Sequence, residues 1–450
     1  MSIKASLLAL AATIVAVASP LTAYSKVAAD EAAELGKRLT PVGAEAGGNA
    51  AGTIPPWQPI KQENIKRGDN PYGGDKPLYT ITAATAGQYG ELLSQGYKEL
   101  FKAFPDYKMP VYPSHRSAAY PDWFAQATAN NAQRVELTNN GYGFCCTAQG
   151  FPFPIPKNGT EVLWNHIMRY NTRGFRGFVN SADTTASGDY VVERSYIELS
   201  YAYNNPKATP ASLGNQNLYL FTKVVSPASR AGDANLLHVP LDRIKEITGV
   251  WVYNPGQARS RRIGEVGYDN PLHDGLMTHD QVDMFNGPLD RYTLKLLGKR
   301  EMLIPYDSYK LYSDKLKYAD IIRPGHINQD LARYELHRVW VVEAQLKPGI
   351  RHRYKRRVFY IDEDSWIVAA EDMYDERDQF WRTAESHSIN FANVPVMVNG
   401  IQVHYDIQSR RYVILNLINE EKNMIEYDWA ADAGYFAPNN LKRFATSNSR

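Results

Sequence analysis

A chain of 450 residues with a formal net charge of +2 can bury a large core, and it has no charge excess to draw it to nucleic acid or an anionic membrane. Its 30 tyrosines and 8 tryptophans, with plentiful Gly and Pro, suit a β-rich extracytoplasmic protein. The only two cysteines, Cys145 and Cys146, are adjacent, which excludes CxxC chemistry and leaves either a vicinal disulfide or two thiols.

The N-terminus carries Lys4, an apolar run over 7–17 and the small-x-small sequence Ala23-Tyr24-Ser25. The run is shorter than the ~20 residues a spanning helix needs, so residues 1–25 read as a cleaved signal peptide. No later stretch is long and apolar enough to span, so the mature chain is expected not to cross a membrane. Residues 26–80 read as a short helix over 30–39 followed by a Gly/Pro-rich extended arm over 40–59. In residues 81–172 the spacing predicts one continuous amphipathic helix over 85–104, with Tyr89, Leu92, Leu93, Tyr97, Leu100, Phe101 and Phe104 on one stripe and Pro105 as its stop. A second helix follows over 122–132. Alternating prolines then force an extended ribbon over 150–158, after which Asn158 caps a helix with Glu161 in capping-box spacing.

Strands dominate residues 173–420. They are expected over 190–203, 218–225, 247–253 and 292–304, and then in an antiparallel meander over 334–346, 354–361, 366–373 and 379–388. Turns at 347–349, 362–365 and 375–377 separate the meander strands. In its first strand Leu336, Trp340, Val342, Ala344 and Leu346 share a parity opposite to Glu335, His337, Glu343 and Gln345. Residues 366–370 are apolar on both parities, so that part of the sheet needs cover on both faces. The 85–104 helix is the candidate for one cover, and the proline ribbon or a ligand for the other. A late hairpin is expected over 402–407 and 412–417, and residues 421–450 read as a loosely held tail. Residues 26–420 read as one structural domain.

Several stretches resemble one family: TPVGAE with GTIPPW, PFPIPKNG…WNH, WVYNPGQARSRRIG, RVWVVEA and RRVFYIDEDSW. They are similar to an uncharacterised periplasmic family of Gram-negative bacteria grouped with the outer-membrane lipoprotein-sorting, LolA/LolB-like proteins. The resemblance covers nearly all of the mature chain. It implies an α+β, β-rich fold in which a large curved antiparallel sheet forms a half-barrel with helices on its concave side. It also implies a role in moving a hydrophobic, lipid-like molecule, with an inner-membrane exporter and an outer-membrane protein as partners. No catalytic residue comes with it.

For a ligand groove the candidates are Phe151, Phe153, Trp164, Trp251, Tyr253, Trp340, Val342 and Trp381, whose alternative role is core packing. Asn165, His166 and Arg338 are the candidates for orienting or rim positions. His273, Asp274, His279, Asp280 and Asp283 are dense enough to suggest metal, but their spacing matches no metal motif and they read as a solvated loop. Arg351, Arg353, Lys355 and Arg357 share one parity, as on a solvated strand face. Glu363-Asp364 and Asp375-Glu376 read as turn carboxylates without the apolar cover that acid–base chemistry needs. No nucleophile elbow is present, and no cofactor or metal is expected. The sequence therefore points to a periplasmic, non-enzymatic carrier of a hydrophobic molecule. The alternatives are an adaptor that binds no lipid and a hydrolase.

Overall fold

The structure, a computed structural model, describes residues 27–59, 69–264, 266–391 and 393–447. The expected signal peptide lies outside them. Among the described residues no helix is long and apolar enough to cross a membrane.

One mixed sheet of 16 strands organises the chain. From one edge its order is Tyr79–Thr82, Lys108–Val111, Tyr334–Leu346, Arg356–Asp362, Val368–Tyr374, Phe380–Phe391, Val396–Asp406 and Arg411–Leu417. It continues through Gly174–Thr184, Tyr190–Tyr201, Gln216–Ser226, Ala234–Pro240, Gly249–Asn254 and Arg259–Ile263, and does not close. Strand Tyr292–Pro305 pairs with Tyr334–Leu346, and Glu426–Tyr427 pairs with Gly174–Thr184. Among the described residues, the ladders of this sheet are antiparallel except for the parallel bridge of Tyr334 to Val111.

The expected meander is present, and both its faces are covered. Glu343, Val358, Asp372 and Thr383 are successive register partners and share one face. On that face the expected 85–104 helix is broken. A 3₁₀ turn over Ala86–Leu92 is followed by an α-helix over Gln95–Ala103, which Ser94 caps by accepting from the Tyr97 N–H at 3.1 Å. The break lets the free Gln95 and Gly96 N–H groups donate to the two Asp372 carboxylate oxygens at 3.0 and 2.9 Å. A buried anion thus sits on the helix N-terminus, where the dipole favours it. Gly96 is required there, because a Cβ would lie 2.0 Å from Thr383 Oγ1.

The other face carries helix Gly159–Ile167, capped as the spacing predicted, with Asn158 Oδ1 accepting from the Glu161 N–H at 3.0 Å. Gly159 rides on Val342, whose Cγ1 would be 2.8 Å from an added Cβ. The proline ribbon lies beside this helix. Asn165 ties it by accepting from the Phe153 N–H at 2.9 Å and donating to the Phe153 carbonyl at 2.7 Å.

Four expectations are corrected. The N-terminal helix spans only Ala29–Ala32. Thr278 and Gln281 in capping-box spacing predict a brief helix over 278–285, but the segment forms only a single 3₁₀ turn, His279–Gln281. Residues 421–447 are not a loose tail: helix Leu441–Thr446 packs on the far strands, with Phe444 stacked 4.6 Å from Phe221 and Phe436 wholly buried. Arg357 is not solvated but wholly buried, because Asp280 and Glu371 flank it. Cys145 and Cys146 form a vicinal disulfide.

Candidate functional site

The hairpin turn Asp362-Glu363-Asp364-Ser365-Trp366 is the place where cover, charge and aromatic surface meet. Its carboxylates were expected to lack apolar cover, yet Asp362, Glu363 and Asp364 are all buried. The N-terminal arm supplies that cover. The Trp366 indole N–H donates to the Val42 carbonyl at 3.1 Å, and the Glu45 N–H donates to Glu363 at 3.3 Å. Trp366 adopts φ +57°, a left-handed conformation that a bulky side chain takes only when its surroundings hold it there.

Buried charges of this density need partners, and Glu363 and Asp364 have cationic ones. Arg116 grips Asp364 through Nε and Nη2 at 2.8 and 2.7 Å. Glu363 accepts from Arg338 at 3.0 Å and from Lys299 at 2.7 Å. Arg338 also donates to the Gly47 carbonyl at 2.9 Å, and Lys299 lies 4.5 Å over the Trp340 ring. Behind them stand Glu335, His337 and Asp307, also buried. Burial raises Asp362 to about 6, against the lowering influence of His337. Burial alone would lower His337, but its contact with Glu335 and the nearby Asp362 outweigh that and raise it.

A cleft of about 150 Å³ opens above this turn. The arm residues Pro41, Val42, Trp57 and Pro59 form one wall, Ala118 to Ala125 the other, and Asp364 reaches it. The Tyr120 hydroxyl donates to the Asp364 carbonyl at 2.7 Å and fixes that second wall to the turn.

The predicted groove residues fall in three places. Phe151, Trp340 and Val342 gather around Trp366 and helix Gly159–Ile167, with Trp340 stacked on Trp366 at 6.1 Å and Phe151 tilted against it at 5.8 Å. Phe153 and Trp164 adjoin them through Phe144, and the Trp164 indole donates to the Gly141 carbonyl at 2.9 Å. Trp251 and Tyr253 belong instead to the second core with the C-terminal helix. Trp381 stands apart against Tyr354 and under Arg382. Of the rim candidates, Asn165 holds the ribbon and Arg338 the acidic turn. Of the five loop residues 273, 274, 279, 280 and 283, four take separate partners: His273 pairs with Asp183, Asp274 with Arg411, Asp280 with Arg357 and Asp283 with Arg169. Sequence reasoning missed Arg116, Lys299, His337 and Asp362. The available signal was three consecutive acids in a turn beside the doubly apolar 366–370 run.

His166 is wholly buried and pins the turn. Its Nδ1 accepts from the Val368 N–H at 3.1 Å, which leaves Nε2–H to donate to the Asp283 carbonyl at 3.2 Å. Burial, with Arg169 nearby, lowers its pKa to about 3. The folded state therefore binds fewer protons here than the unfolded state between pH 3 and 6.5. The stability this group contributes is complete above 6.5 and is lost as pH falls. In urea denaturation at several pH values, the wild-type advantage over His166→Asn should shrink by about 1.4 kcal/mol per unit below pH 6.5. A pH-independent difference would show that His166 is not held neutral.

An open, β-rich sheet roofed on both faces by helices and straps is the class of protein these features define. The chain belongs to the family described as protein of unknown function (DUF1329), which matches residues 80–442. An uncharacterised protein of Pseudomonas aeruginosa is 43% identical over 426 residues, covering 93% of this chain and 94% of that one. Among solved structures, a DUF1329 family protein from Desulfovibrio piger is similar at 12% identity and TM-score 0.41, over 60% of this chain and 92% of that one. A LolA superfamily protein from Nitrosomonas europaea is similar at 12% identity and TM-score 0.38, over 63% and 98%.

Proposed function

We propose that the protein is a periplasmic, non-enzymatic carrier that holds a hydrophobic, acyl-chain-like molecule and passes it on within an envelope transport system. The observation that carries this reading is the cleft between the arm and residues 118–125. Its walls set the apolar side chains of Pro41, Val42, Trp57 and Ala125 beside polar surface in near-equal share, it lies over the Trp366 turn, and one wall is a strap rather than a strand of the sheet. A strap held by a few hydrogen bonds can move aside at much lower cost than a strand in a ladder. Moving it would extend the cleft onto Trp366, Trp340 and Phe151. Each methylene of a guest then buried contributes about 0.8 kcal/mol.

The test is native mass spectrometry and organic extraction of protein purified from periplasm, with titration of an acyl-chain fluorophore. A bound lipid, saturable fluorophore binding and its loss in Ala125→Trp, which fills the cleft from a partly exposed position, are the expected results. Absence of both lipid and fluorophore binding overturns the reading.

One observation favours a docking role as a second reading. The loop after Leu346 exposes Ile350 and carries Lys347, Arg351, Arg353 and Lys355 along an open cleft. That mixture suits an acidic surface, and an adaptor would need it without any lipid in the core.

A further inference from the structure

The candidate lies one layer below the cleft, where three ligand-type side chains converge. One ligating atom each of His337, Asp362 and Asp364 lies within 4.8 Å of the other two, and all three residues are buried. His337 Nε2 is 3.3 Å from Glu335 Oε2, and its Nδ1 is 3.6 Å from Asp362 Oδ1. With Nε2–H turned to Glu335, a neutral imidazole directs its Nδ1 lone pair at a carboxylate oxygen. Two acceptors facing each other in a dry interior repel unless something positive lies between them. Asp362 Oδ1 makes no hydrogen bond, and neither does the buried hydroxyl of Tyr306, whose ring stacks 4.0 Å from that of His337.

The remaining atoms of these residues are held as outer-shell partners hold metal ligands. Glu335 orients the histidine. Asp362 Oδ2 accepts from the Ser365 N–H at 2.8 Å and its hydroxyl at 2.6 Å. Arg116 fixes both oxygens of Asp364, and a carboxylate has lone pairs left over for a second partner. Metal bonds of about 2.0–2.2 Å at a tetrahedral angle set two ligand atoms about 3.4 Å apart, close to the separation of His337 and Asp362. The cleft provides an approach, because Asp364 lines it.

We propose that His337 Nδ1, Asp362 Oδ1 and one oxygen of Asp364 bind a divalent transition-metal cation of the zinc type. One nitrogen and two carboxylates suit such a borderline ion better than calcium, which takes oxygen ligands alone. The cation would neutralise the acidic turn and so set how firmly Glu363 and Arg116 hold the arm. The sequence reading assigned no metal here, because His337 is 25 residues from Asp362 and the alternation of its strand reads as a polar face.

The test uses the mature protein stripped with chelator and titrated with ZnCl2 and MnCl2 by calorimetry. One site per chain is expected, weakened about 100-fold or more in Asp362→Asn and in His337→Gln, and unchanged in His279→Asn. X-ray absorption of the zinc-loaded wild type needs no variant and should show one imidazole with oxygen ligands. No saturable binding, a shell with two imidazoles, or unchanged affinity in both site variants overturns the proposal. With no binding, a protonated His337 is what separates the two acceptors.

Discussion

Replacing Arg357 with Met should destabilise the protein by about 3–5 kcal/mol at pH 8. The guanidinium is wholly buried, donates to Asp280 at 2.6 Å and to Glu371, and lies 5.0 to 5.8 Å from the rings of Phe285, Tyr292, Tyr354 and Phe359. Burial alone would favour its neutral form, but Asp280 and Glu371 outweigh that and hold it charged. Methionine fills the volume but leaves two carboxylates uncompensated in the interior. Even with Arg357 in place, burial holds Glu371 at about 7. Without it Glu371 rises further, and Asp280, which Arg357 and His352 hold below the usual carboxylate range against the raising effect of burial, rises as well, so the folded variant retains protons that the unfolded chain releases. A raised folded value means stability is present below the unfolded value and is lost as pH climbs through the folded one. The penalty should therefore be smaller at pH 5 than at pH 8 in urea denaturation. The combined replacement Arg357→Met, Asp280→Asn, Glu371→Gln should recover most of it. A single-variant penalty under about 1 kcal/mol at pH 8 would show that the triad is not electrostatically closed.

That triad also marks where the sequence stops being legible. Arg351, Arg353, Lys355 and Arg357 alternate identically, yet Arg357 alone among the described residues of this run is buried between acids, Glu371 on the neighbouring strand and Asp280, which lies 77 residues away. The Arg116 to Asp364 pair spans 248 residues. Alternation reports which residues share a face, not whether that face meets water or a counter-ion brought by another segment. Short-range signals read well for the same reason. Lys347-Pro348-Gly349 turns because of its own backbone preferences, and Asn158 caps because Glu161 is three residues on. The apolar 366–370 run required two covers, and helix Gln95–Ala103 and the ribbon with helix Gly159–Ile167 supply them. The break at Ser94 was hidden, because the helical stripe continues through it and the Asp372 carboxylate that rewards the break belongs to the sheet.

Trp366 should show an inverted order of substitutions. It is wholly buried, stacks on Trp340, tilts against Phe151 and donates to the Val42 carbonyl. Truncation to Ala removes that packing and leaves a cavity, at a cost of about 3–5 kcal/mol. At most buried positions Gly is worse still, because it loses more backbone entropy. Here φ is +57°, and an L side chain in that region costs about 1–2 kcal/mol that Gly does not incur. Trp366→Gly should therefore be more stable than Trp366→Ala by about 1 kcal/mol. Both variants should also free the arm, since Val42 loses its donor and the roof over Asp364 its anchor. Limited proteolysis within residues 40–59 should then precede global unfolding, while the wild type resists at the same protease ratio. Equal stabilities for Ala and Gly would mean the turn relaxes out of the left-handed region once the indole is gone. An uncleaved arm in both variants would mean that Glu45, Gly47 and their partners Glu363 and Arg338 hold it without Trp366.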